Sequence, residues 1–140
     1  KRLGLLVLHF RGSFWLDPEH EFNTRLLLRS VGYEVWRNPR FFAVLYLFGS
    51  NRALMKRAWN ACLPSGFEPG YMAMRGVSEH NYTLIQAAKA ITGNASGLAL
   101  EDLADTEAVD DTAFQLIVNA LLIANYGSDV LKLGGTEITY

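Results

Sequence analysis

One cysteine, Cys62, stands among 140 residues, so no disulfide joins two parts of this chain. A reducing, cytoplasmic setting is the expectation. An apolar run of bilayer length is also missing. The most apolar stretch, 113–124, is interrupted by Gln115 and Asn119. A helix across it is roughly 24 Å long, too short to span a bilayer comfortably, and no membrane partner is expected. The N-terminal KRLGLLVLHF imitates a signal peptide but has only seven residues from Gly4 to Phe10, a histidine among them, and no small-x-small cleavage site after it. Motifs that announce chemistry are absent too. There is no H-E-x-x-H, no pair of Glu-x-x-His, no C-x-x-C, no G-x-S-x-G, and no glycine loop followed by Lys. The familiar zinc, di-metal, serine-hydrolase and phosphate-binding signatures are therefore not here.

What is present is apolar matter. Hydrophobic residues make up 50% of the chain and aromatics 12%, which places it among folded globular proteins of one domain. Helix starts are well marked. Asp17-Pro18 and Asn38-Pro39 pair a capping oxygen with a proline that gives up only an unpartnered amide. Asn51, Ser78 and Asp110 offer caps to three more helices. The first of the five helices is expected to bury Phe22, Leu26, Leu27 and Val31, with Leu16 stapled on Phe22. The helix from Glu79 to Thr92 is expected to bury Tyr82, Ile85 and Ala88. Residues 65–76, with three glycines and a proline, read as a long loop over the core.

The stretch from Asp110 to Gly127 is apolar almost all round, with Gln115 and Asn119 as one narrow polar stripe. It is expected to be the buried helix that the others wrap. Its two amides are expected to need partners, either inside the fold or at an interface. Across Gly134-Gly135 two alternating runs signal a β-hairpin, to which the N-terminal run adds a third strand. The fold expected is mainly α: one domain over 1–140, five or six helices around a buried C-terminal helix, with 1–13 and 128–140 as β additions.

Net charge is −1, but residues 1–75 hold eleven Lys/Arg against five Asp/Glu, and residues 76–140 hold two against nine. Such asymmetry fits an acidic partner for one half and a basic partner for the other, or two halves that face each other. In the basic half Arg37, Arg40, Arg52, Lys56 and Arg57, with Trp15, Tyr33, Trp36, Phe41 and Phe42 interleaved, form a candidate surface for nucleic acid or an acidic partner. In the acidic half, 101–111 carries six carboxylates and no base; it lacks the order of a calcium loop and reads as a solvated helix start or as a phosphate-like face for a basic partner.

Two helix starts echo each other, Glu19-His20-Glu21-Phe22 and Glu79-His80-Asn81-Tyr82. If they met, His20, Glu19, His80 and Glu79 would suit a divalent metal or an acid–base pair. Capping and the helix dipole explain the same acids without a metal.

Phe14-x-Leu16-Asp17-x-Glu19-His20-Glu21, the helix ending Leu45-Tyr46-Leu47-Phe48-Gly49-Ser50-Asn51, Leu100-Glu101-Asp102-Leu103-Ala104 and Asn119-Ala120-Leu121-Leu122-Ile123-Ala124-Asn125 together resemble a family of small uncharacterised bacterial proteins, often encoded in or near prophages. The resemblance spans 14–127 in outline and implies a compact, mainly helical domain in a mobile-element setting. Residues 1–13 and the terminal hairpin depart from it as additions. The leading expectation is a non-enzymatic protein-interaction module without a cofactor, which binds a protein partner or self-associates. The alternatives are a metal-assisted hydrolase at His20 and His80 and a nucleic-acid binder.

Overall fold

Caps chosen by residue type set the element boundaries. The computed structural model describes residues 14–127, 129 and 130, so the β additions expected at the N-terminal run and across Gly134-Gly135 lie outside the described residues. Within them the chain forms α1 (Pro18–Val31), a 3-10 turn (Tyr33–Arg37), α2 (Pro39–Phe48), α3 (Arg52–Ala58), β1 (Cys62–Leu63), β2 (Gly66–Phe67), α4 (Glu79–Ile91), α5 (Leu100–Leu103) and α6 (Asp111–Tyr126). Asp17 accepts from the His20 amide at 2.8 Å and Asn38 from Phe41 at 3.2 Å. Asn51 accepts from Leu54 at 2.8 Å, Ser78 from Asn81 at 3.1 Å and Asp110 from Ala113 at 2.8 Å. Five caps expected from sequence are thus made, each satisfying an amide that the helix itself leaves open. The fold is mainly α, as expected. Its sheet among the described residues is one antiparallel pair, Cys62 opposite Phe67 and Leu63 opposite Gly66, inside what reads in sequence as a helix end and loop.

The helix enclosed on every side is α2. Every residue from Phe41 to Phe48 is buried, with α6 and α4 packed along it and α1 across it. Eight consecutive apolar side chains leave no face for water, so the other helices must cover all of it. Truncating any of its large side chains to Ala is expected to cost about 2–5 kcal/mol. By contrast α6 contributes one face. Ala113, Leu116, Ile117, Ala120 and Ile123 are buried, whereas Leu121 and Tyr126 are exposed. The expected centre of the fold therefore shifts from α6 to the helix against which α6 packs.

One expected face is also rotated, and a second departs at a single residue. On α1 the inward residues are His20, Asn23, Thr24, Leu27, Leu28 and Val31, while Phe22 is 60% exposed and Leu16 is exposed. On α4 Ile85 and Ala88 are buried as expected, with Asn81, Leu84, Gln86, Ala87 and Ile91, and only Tyr82 departs, at 49% exposure. The reason on α1 is a polar demand. A buried helix leaves its last carbonyls without intrahelical partners, and the first turn of α1 crosses the end of α2. The Ser50 amide bonds the Leu47 carbonyl at 3.2 Å, not that of Tyr46. His20 Nε2 bonds the Tyr46 carbonyl at 2.8 Å and Asn23 Nδ2 donates to the Gly49 carbonyl at 3.2 Å. Polar side chains turn inward here because hydrogen-bond acceptors are buried here.

That crossing is close. A Cβ on Gly49 would stand 2.3 Å from Thr24 Oγ1 and 2.9 Å from the Thr24 backbone nitrogen. With φ at −77° Gly49 needs no left-handed conformation, so the constraint is space alone. Gly49→Ala is expected to destabilise the protein by about 1–3 kcal/mol through overpacking, read as a lower urea midpoint at unchanged slope. A variant as stable as the wild type would show that the two backbones do not meet this closely.

Candidate functional site

His20 is fully buried, and both ring nitrogens are committed to backbone. Nδ1 accepts from the Leu16 amide at 3.1 Å while Nε2 meets the Tyr46 carbonyl at 2.8 Å. Those partners require a neutral ring protonated at Nε2. Trp15 stands edge-on with ring centroids 5.0 Å apart. His80 bonds a different residue, with Nδ1 2.7 Å from Asp110 Oδ2, and Glu19 and Glu79 are exposed. No group of three or more His, Cys, Asp or Glu among the described residues is placed to hold a metal ion. The expectation that His20, Glu19, His80 and Glu79 share one ion is therefore corrected for His20. Its ring caps a buried helix and has no nitrogen to offer a metal.

The basic cluster divides. Arg37 and Arg40 precede or open α2, and Arg52, Lys56 and Arg57 follow its other end on α3. Eight helical residues, Phe41 to Phe48, about 12 Å of helix, separate the two groups. Arg40 Nη1 reaches the Ile91 carbonyl at 3.4 Å, and Arg57 Nη1 donates to the Ala73 carbonyl. Of the interleaved aromatics, Trp15, Phe41 and Phe42 are in the core, where no base can stack on them. The side chains of Tyr33 and Trp36 lie outside the described ones.

The amide stripe on α6 also points inward. Asn119 is fully buried, so it cannot serve a partner surface; Gln115 beside it is half-buried. Asn119 Nδ2 donates to the Tyr46 hydroxyl at 3.1 Å, and that hydroxyl donates to the Phe14 carbonyl. Burial pushes the Tyr46 phenol above its ordinary range, against the smaller opposing effect of the Asn119 bond. Asn119 Oδ1 is buried without a hydrogen-bond partner. Cys62 is likewise interior, its thiol pushed up to about 12 by burial, which removes thiolate character.

A cavity opens on the opposite side of α4 from its core face. It encloses about 420 Å³, lined by Glu79, Tyr82, Thr83 and Gln86 of α4, by Met74 and Val77 before it, and by Gly97, Leu98, Asp102, Ala108 and Val109. That size falls within the range of ligand sites. One edge is tied by Gln86, whose Oε1 accepts from the Gly97 amide at 2.8 Å, while Ser96 Oγ donates to the Gln86 carbonyl at 2.8 Å. Asp102 caps α5, accepting from the Ala99 amide at 2.8 Å. Leu98 also borders a second groove of about 210 Å³ with Ala87, Ala90, Ile91, Ala99, Leu100, Leu103, Ile117 and Leu121. The result is one surface with two lobes, the first carrying carboxylates and the second wholly apolar. Sequence reasoning singled out Glu79, the acidic run that holds Asp102 and the loop that holds Met74, but did not bring them together on one surface. The readable signal was the spacing of 79, 82, 83 and 86, which places four residues on one helical stripe.

Against protein-family models, curated proteins and solved structures the chain returns no match.

Two tests follow from this geometry. Tyr46→Phe removes the hydroxyl that bonds the Phe14 carbonyl and accepts from the Asn119 amide, and is expected to lose about 1–3 kcal/mol. Asn119→Leu in that background is expected to restore part of the loss, since it removes a group with no bond left. Urea unfolding of the two single and one double variant checks this, and simple additivity would contradict it. The second test concerns Asp110. Desolvation acts to raise its carboxyl. Bonds from the Ala113 amide, from His80 and from the Thr112 amide, with the His80 charge, outweigh that and hold it below the ordinary 3.8. Its stabilising effect is therefore present above the ordinary value and is lost as pH falls through the lowered one. Asp110→Asn keeps a cap but not the charge. The stability gap to wild type is expected at neutral pH and to close as the wild-type carboxyl protonates; a gap that widens in acid would contradict the assignment.

Proposed function

We propose that this protein is a non-enzymatic interaction module whose two-lobed surface between α4, α5 and α6 binds a protein partner. One observation carries the reading. Exposed large apolar side chains collect around this surface: Leu100 is 83% exposed and Leu121 44%, with Tyr82 and Met74 also open. Single exposed apolar residues are ordinary on a protein surface, but a contiguous group around a concave site marks a binding face. The chemistry-bearing side chains His20 and Cys62 are meanwhile spent on the interior, the first as a helix cap and the second as a small apolar filler. The resemblance to prophage-encoded proteins adds a mobile-element setting to the proposal. The hydrolase reading loses His20, and the nucleic-acid reading loses Trp15, Phe41 and Phe42, which are buried.

Site-specific photo-crosslinking in the source cell tests this. A benzophenone amino acid at Leu100 is expected to give a discrete protein adduct, while the same probe at exposed Arg29 on α1 gives none. Equal adduct patterns at the two positions, or no adduct at Leu100, would overturn the proposal.

A further inference from the structure

We infer that the carboxylate-bearing lobe takes a basic, apolar peptide segment of the partner. This rests on the interaction-module reading and names the partner's chemistry. Glu79 and Asp102 line this lobe with Met74, Tyr82 and Leu98, and no lining residue is Lys or Arg. Arg75, between the lining Met74 and Val77, is exposed and is not among them. The wall from Leu98 to Asp111 adds five further acids and no base in sequence, so the field over the lobe favours a cation and repels an anion.

A second and independent observation comes from Gln86. Its side chain is buried to 5% exposure, and its Oε1 is held by the Gly97 amide. That bond fixes which end of the amide is free. Nε2 has no hydrogen-bond partner among the described residues and is not sealed among the buried unsatisfied atoms, so its two donors open on the cavity that Gln86 lines. A lobe with carboxylates at its border, an amide donor within it and apolar walls matches three parts of a peptide. A Lys or Arg side chain meets Glu79 and Asp102. A backbone carbonyl accepts from Gln86 Nε2. A flanking aliphatic side chain lies against Leu98 and continues into the apolar lobe. Free phosphates and nucleic acids have the wrong sign. A small metal ion would use the carboxylates but would leave the amide donors and the apolar walls without a role.

The test is titration of the intact protein with the blocked peptide Ser-Leu-Arg-Leu-Arg-Ser, and with its counterpart carrying Glu in place of Arg, followed by amide and side-chain NMR shifts. The basic peptide is expected to bind with shifts at the Gln86 side-chain amide and Tyr82, and the acidic one not to bind. Glu79→Gln with Asp102→Asn keeps an oxygen for the Ala99 amide while removing both charges. It is expected to weaken binding about fivefold or more, within the range of partly exposed charge pairs, with the unfolding midpoint used to confirm the fold. Equal binding of both peptides, binding that shifts other surfaces, or no binding of the basic peptide would overturn the inference. Mapping the adduct from the Leu100 crosslink separates this from the reading beneath it. An adduct within a segment lacking Lys and Arg refutes the basic peptide while leaving a protein partner in place.

Discussion

Satisfying the carboxyl end of a helix buried on all sides is the constraint on which the other elements depend. Packing alone can enclose Phe41 to Phe48, but burial also strips water from the final carbonyls, and each must find a donor. The first two turns of α1 supply two of them through His20 and Asn23, and Ser50 Oγ bonds the Leu47 carbonyl at 2.7 Å. Thr24 Oγ1 turns back to the His20 carbonyl at 2.9 Å, which steadies the turn that carries the caps. Tyr46 extends the same arrangement sideways. Its carbonyl receives His20, and its hydroxyl joins the Phe14 carbonyl to Asn119 of α6. One residue thus ties three separate segments to the central helix.

This arrangement explains which parts of the fold were legible in the sequence. The starts of α1, α2, α3, α4 and α6 could be read because an N-cap is a local device, specified by one polar residue and its near neighbours. Which face of a helix turns inward is not local when its partner presents acceptors. Periodicity alone assigns Phe22 to the core and His20 to solvent; the end of α2 reverses both. The choice of centre failed for a related reason. The apolar cylinder of α6 is longer than that of α2, yet its outer residues Leu121 and Tyr126 are left exposed, and only contacts in space distinguish the two.

The candidate surface was less legible still. Its lining runs from Met74 to Leu121 across three helices and three loops, so no short motif encodes it. The acidic run at 101–111 was visible, and its simplest reading was a solvated helix start. The structure gives part of it a second setting, with Asp102 beside an open cavity and Gln86 presenting donors into it. The asymmetry of charge along the chain fits this placement: the acidic half builds the surface, and the basic residues are divided between the two ends of α2. On the proposed reading the core network around Tyr46 holds the scaffold rigid, and recognition occurs on the opposite face of α4.

The histidine side chains offer the most direct measurement of the central claim, through a long-range proton–nitrogen NMR spectrum of the labelled protein at neutral pH. The account predicts that His20 is neutral, protonated at Nε2, slow to exchange that proton, and unmoved by added zinc. An imidazolium, the Nδ1-protonated tautomer, or a zinc-dependent shift at His20 would contradict it.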